Sequence, residues 1–160
     1  MKRFIFAAVA TVTLVVSLSS QAIAQSKSSP VPAFLDRLGM KYVKEDEYFA
    51  VMAGVDGGRT QMGFIVPTII KIGDVEYIGV LSVSQISKTP PNAEISKQLD
   101  SNISDPLSGW RTIDKNGMHL TLYYKSIPLK DDPDSARQEI IKILNIADTA
   151  EKDLTGKDEL

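Results

Sequence analysis

The sequence predicts an α+β domain, an antiparallel sheet of about five strands with helices packed on it, in the order α-β-β-β-α-β-β-α. Three observations carry that prediction. Residues 75–86 form the longest run rich in Val, Ile and Tyr, bracketed by Gly73-Asp74 and Thr89-Pro90-Pro91, which reads as a central strand. Asp56-Gly57-Gly58 and Asp114-Lys115-Asn116-Gly117 each separate two β-prone runs, which reads as two hairpins. Asp132-Pro133 ahead of Ile140, Ile141, Leu144 and Ala147 reads as a helix with an N-cap, a proline in its first turn and one apolar stripe.

The elements follow in chain order. Residues 1–24 have the three parts of a cleavable export signal: Lys2-Arg3, an apolar run over 4–18, and Ala22 and Ala24 before the cleavage point. That run is shorter than the roughly 20 apolar residues of a membrane-spanning helix, so no stable anchor is expected after cleavage. Residues 25–32, rich in Ser, Lys and Pro, form a flexible leader into a single domain over 33–153. Phe34, Leu35 and Leu38 share one face of a short helix that Gly39 ends. Glu45-Asp46-Glu47 leads into a strand over 48–53, and the return strand over 60–66 meets Pro67, which donates no ladder hydrogen bond and marks a bulge or an edge. Residues 69–72 extend it. After the central strand, Asn92 caps a second amphipathic helix with Ile95, Leu99 and Ile103 at four-residue spacing. Residues 110–113 and 118–125 form the second hairpin, the long helix follows, and 154–160 is a polar tail.

Both alternating sets of the central strand are apolar: Val75, Tyr77, Leu81 and Val83 on one face, Ile78, Val80 and Ile86 on the other. Phe49, Val51, Leu81, Leu120 and Leu122 are expected to pack under the first and last helices. The opposite face would then carry Tyr48, Met52, Ile65, Ile78, Val80 and Tyr123, a candidate binding surface unless the 92–103 helix covers it.

Composition narrows the chemistry. Lys2 and Arg3 leave with the leader, taking the formal charge from −2 to −4, and acidic and basic residues are interleaved, so nucleic acid is not an expected partner. With no cysteine there is no disulfide, thiolate metal site or cysteine nucleophile. His119, the one histidine, lies in a strand without ligand spacing around it. Neither Glu45-Asp46-Glu47 nor Asp131-Asp132-Pro133-Asp134 has the alternating pattern of a calcium loop, and the second suits a helix N-terminus. Serine-nucleophile and phosphate-loop motifs are missing. No catalytic residue, metal or cofactor is expected, and the chain reads as a non-enzyme.

Phe34-Leu35-Asp36-Arg37-Leu38-Gly39 with its acidic strand lead-in, the 59–66 strand, the 110–124 hairpin and Asp132-Pro133 opening a helix through Ile146-Ala147-Asp148 resemble the YbjN-like family. The resemblance covers residues 32–153. It implies a domain similar in fold to the type III secretion chaperones and a protein-binding, chaperone-like role without catalytic residues. The export signal departs from the cytoplasmic setting of those chaperones. The expected function is therefore an exported interaction domain of the bacterial envelope whose partner is another protein, with a homodimer as a further arrangement. A small-molecule-binding accessory protein of the periplasm is the alternative. Periplasmic or secreted localisation is expected from the leader. The endoplasmic reticulum lumen is the alternative, from Lys157-Asp158-Glu159-Leu160 and the Asn102-Ile103-Ser104 glycosylation triplet.

Overall fold

The computed structural model describes residues 29–91, 97 and 107–155. The export signal, residues 25–28, most of the helix expected over 92–103, the Asn102-Ile103-Ser104 triplet and residues 156–160 lie outside the described residues. In chain order the elements are α1 (Val31–Arg37), β1 (Tyr42–Lys44), β2 (Phe49–Gly54), a 3₁₀ turn (Asp56–Gly58), β3 (Thr60–Ile72), β4 (Val75–Ser87), β5 (Ser108–Lys115), β6 (Met118–Pro128) and α2 (Pro133–Thr155). The fold is α+β. Among the described residues it has one antiparallel sheet of six strands, in the order β1-β2-β3-β4-β6-β5, and two α-helices.

The strand beyond the expected five is β1, whose three residues pair Tyr42 with Val51 and Lys44 with Phe49. So short a strand, flanked by Lys41 and Glu45, is too brief to display the alternation by which strands are read. β3 runs on through Pro67, and its register against β4 shifts between Val66 and Ile69. That bulge leaves the proline with no ladder bond to make. α1 stops where Gly39 takes φ +63°, and the Met40 amide closes back on the Leu35 carbonyl at 3.1 Å.

Both helices pack on one face. Val31, Phe34, Leu35 and Leu38 of the α1 region and Ala136, Ile140, Ile143 and Leu144 of α2 meet Phe49, Val51, Ile65, Ile78, Val80 and Ile127 in one buried cluster. α2 lies so close to β3 that a β-carbon on Gly63 would sit 2.7 Å from Leu144 Cδ2. A larger residue there would force the Leu144 side chain to shift.

The last helix begins as its sequence suggests: the Ser135 amide donates to Asp132 Oδ2 at 3.0 Å, with Pro133 in the first turn. Asp132→Ala removes that cap and is expected to cost about 1 kcal/mol. A urea titration should show a lower midpoint at unchanged slope.

Candidate interaction surface

Residues directly opposite on neighbouring antiparallel strands share a face, so the pairing register assigns each side chain to one side of the sheet. Phe49, Ile65, Val80 and Lys125 form one row across β2, β3, β4 and β6, and they face the helices. The neighbouring row, Val43, Ala50, Phe64, Leu81, Tyr124 and Gly109, faces the other way.

That second face is apolar along its length. β3 gives it Met62, Phe64, Val66, Ile70 and Ile72, and β4 gives it Val75, Tyr77, Leu81 and Val83. β6 adds Met118, Leu120, Leu122 and Tyr124. At its centre Leu81, Val83 and Leu122 are buried, with Phe64, Val66, Ile113 and Tyr124 packed against them. The exposed large apolar side chains of the described residues are Val43 (60 %), Met52 (56 %), Ile72 (46 %), Ile86 (41 %) and Val75 (40 %), and the register puts all five here. No charged side chain on β1–β4 or β6 points to this side among the described residues; its cations, Arg111 and Lys115, stand on the outer strand β5. The exposed apolar side chains therefore stand around a centre that is itself buried.

The six side chains expected to share one binding face divide between the two. Met52 lies on the second face, and the Tyr48 ring meets Phe64 edge-on there at 5.1 Å. Ile65, Ile78 and Val80 are 0 % exposed in the core beneath the helices, and Tyr123 packs on the edge of that core, its ring edge-on to Trp110 at 5.4 Å. The expected surface is corrected accordingly. Phe49 and Val51 do lie under the helices, whereas Leu81, Leu120 and Leu122 belong to the second face. Alternation holds within each regular stretch of strand, but it does not say which set of one strand continues which set of the next. Register decides that. The shift between Val83 and Gln85 also moves Ile86 onto the side of Val83, the reverse of its expected side.

Polar chemistry concentrates elsewhere. On α2, Asn145, Asp148 and Glu151 recur at three-residue spacing, and each takes a group from the β2–β3 connection or β3 itself. The Asp56 amide donates to Asn145 Oδ1 at 2.9 Å, Arg59 Nε lies 2.8 Å from Asp148 Oδ1, and Gln61 Nε2 donates to Glu151 Oε2 at 3.4 Å. Glu151 is 0 % exposed, and the second Arg59 nitrogen stands 3.8 Å from it. Nearby, the buried Ser84 hydroxyl at the β4 bulge has no hydrogen-bond partner among the described residues.

Ser87, His119 and Asp114 fall in one cross-strand row, and His119 Nδ1 is hydrogen-bonded to Asp114 Oδ1. Ser87 Oγ is engaged instead with Thr89 Oγ1 at 2.9 Å. Burial, reinforced by Glu45 and Glu47, raises the Tyr48 phenol above its ordinary range, so it stays neutral. The hydrogen bond from Lys125 holds Glu139 below its ordinary value. Its contribution to stability is present above that ordinary value and fades as pH falls through the lowered one. Among the described residues no group of three or more His, Cys, Asp or Glu side chains is placed to hold a metal ion, and no helix is long and apolar enough to cross a membrane.

Compared with known proteins, the chain matches no protein-family model and no curated protein.

Proposed function

We propose that this chain is an exported, non-enzymatic protein-interaction domain of the bacterial envelope, chaperone-like as its resemblance to the YbjN-like family implies, and that it holds its partner on the second face of the sheet. The observation that carries this reading is the gathering of all five exposed large apolar side chains on that one face. The tripartite leader supports export. Several exposed large apolar side chains gathered on one face of the described residues are the physical reason to expect a protein partner.

The test is affinity capture from a periplasmic fraction with the natural chain and with Met52→Asp, whose side chain is 56 % exposed. The substitution should leave the melting curve in place and weaken the captured interaction at least about tenfold, equivalent to about 1.4 kcal/mol. Equal capture by a folded Met52→Asp protein would move the partner off this face. Recovery of the protein from the cytoplasm with Met1 retained would remove export.

A small-molecule-binding role is the second reading, and the observation favouring it is the buried Ser84 hydroxyl at the β4 bulge, which has no hydrogen-bond partner among the described residues. Native mass spectrometry of the purified protein discriminates the two, because a bound small mass lost in Ser84→Ala supports this reading.

A further inference from the structure

We infer that the second half of β3 takes up an extended segment of a partner protein as an added strand of the sheet; the inference rests on the reading of this chain as a protein-binding domain. β3 is an inner strand only as far as Ile65. There its pairing with β2 ends, at Phe49, whereas its pairing with β4 continues past the bulge to Ile72. Residues 67–72 therefore form an open edge of the sheet, with no strand beside them among the described residues. The phase of the hydrogen bonds defines what this edge offers. Gly73-Asp74 is a two-residue turn closed by Ile72 and Val75, so in an antiparallel pair the bonds to β4 are made by Ile72 and Ile70 and not by Lys71 and Ile69. β4 agrees: the Glu76 carbonyl, opposite Lys71, turns away from β3 and accepts the Leu129 amide at 2.8 Å. The amides and carbonyls of Ile69 and Lys71 thus point outward, and no backbone group among the described residues meets them.

Alternating outward donors and acceptors at a strand's repeat match the backbone of another extended chain. A helix cannot satisfy them, because its own backbone groups are spent internally. Ile70 and Ile72 border the edge on the second face, next to the exposed Val75, while Lys71 stands on the helix side, 70 % exposed and 3.0 Å from Glu76 Oε1. Such an edge fits a strand in which β-branched residues alternate with polar ones, with a carboxylate opposite Lys71. A second copy of the edge fits poorly, since it would bring another Lys71 into the same short ladder. Pro67 has no amide hydrogen to donate, and with the bulge beside it confines the added strand to residues 68–72.

The experiment is fluorescence anisotropy of a labelled, end-blocked peptide, in which valine alternates with threonine and glutamate, titrated with the mature chain. Lys71→Pro deletes one outward amide and leaves the ladder to β4 whole, whereas Lys71→Ala deletes the charge and keeps the amide. The expected result is saturable binding that slows hydrogen exchange at the Ile69 and Lys71 amides, weakened at least about tenfold by Lys71→Pro and less than about threefold by Lys71→Ala. Circular dichroism melts check that both variants fold. If Lys71→Pro does not, methylating the threonine and glutamate amide nitrogens of the peptide, which the register sets opposite Ile69 and Lys71, removes the same bonds from the other side and should weaken binding to the natural chain as much. A peptide that does not bind, that binds folded Lys71→Pro equally, or that binds equally when methylated overturns the inference. The reading beneath it is judged separately by periplasmic capture. Capture lost in Met52→Asp and unchanged in folded Lys71→Pro keeps a protein partner and overturns strand addition, and capture lost in neither ends both.

Discussion

Ile78→Asp is expected to abolish the folded state. Ile78 is 0 % exposed, pairs with Ile69 and Ile127, and belongs to the cluster that both helices close. The substitution removes a buried aliphatic side chain and puts a carboxylate in its place, and each change alone costs several kcal/mol. Together they match the whole stability of an ordinary domain of this size, about 5 to 15 kcal/mol. The measurement is a thermal melt by circular dichroism, in which the cooperative transition should vanish. Ile78→Ala gives the graded comparison, with a loss of about 3 kcal/mol and a visible transition at lower temperature. A cooperative melt of Ile78→Asp near that of the natural protein would mean the helices do not cover this face.

Arg59→Ala has the second largest expected effect, through the carboxylates it leaves behind. Asp148 is 6 % and Glu151 0 % exposed, and Arg59 is a cation placed against both. Removing one partner of a buried ionic group costs about 3 to 5 kcal/mol, since the remaining charge has neither water nor counterion. Part of that loss should return in Arg59→Ala combined with Glu151→Gln, which removes one stranded charge and keeps a side chain able to bond Gln61. Urea denaturation of the single and double variants measures both effects. A single variant within about 0.5 kcal/mol of the natural protein would show that the cluster is well solvated, as exposed ion pairs are.

The legible parts of the fold were those written locally. The cap of Asp132, the stop at Gly39, both hairpins and the interruption at Pro67 each depend on a few neighbouring residues, and the structure has each of them in place. β1 escaped because three residues carry no period, and its pairing with β2 is a tertiary fact. Of the six side chains expected to share one face, two lie on the second face and four on the helix side. Tyr48 and Met52 occupy that second face, while Ile65, Ile78, Val80 and Tyr123 are of the same apolar character and differ in register. Hydropathy cannot separate two apolar faces of one strand; a bulge at Ser84 and another beside Pro67 decide which way each half of β3 and β4 looks. Nor was the Asn145, Asp148 and Glu151 ladder apparent, because its partners lie some 90 residues earlier in the chain.

That ladder ties the timing of folding to the end of the chain. The contacts of Arg37 with Leu129, Asp56 with Asn145 and Gln61 with Glu151 span 92, 89 and 90 residues, so the early strands gain their cover only after α2 has been made. Until then Phe49, Val51 and Ile65 have no helix from α2 to shield them, and contacts this distant in sequence form slowly. Under the export proposed above, that order would suit a chain that must stay open while it is threaded, since its core is complete only once residues 133–155 are in place.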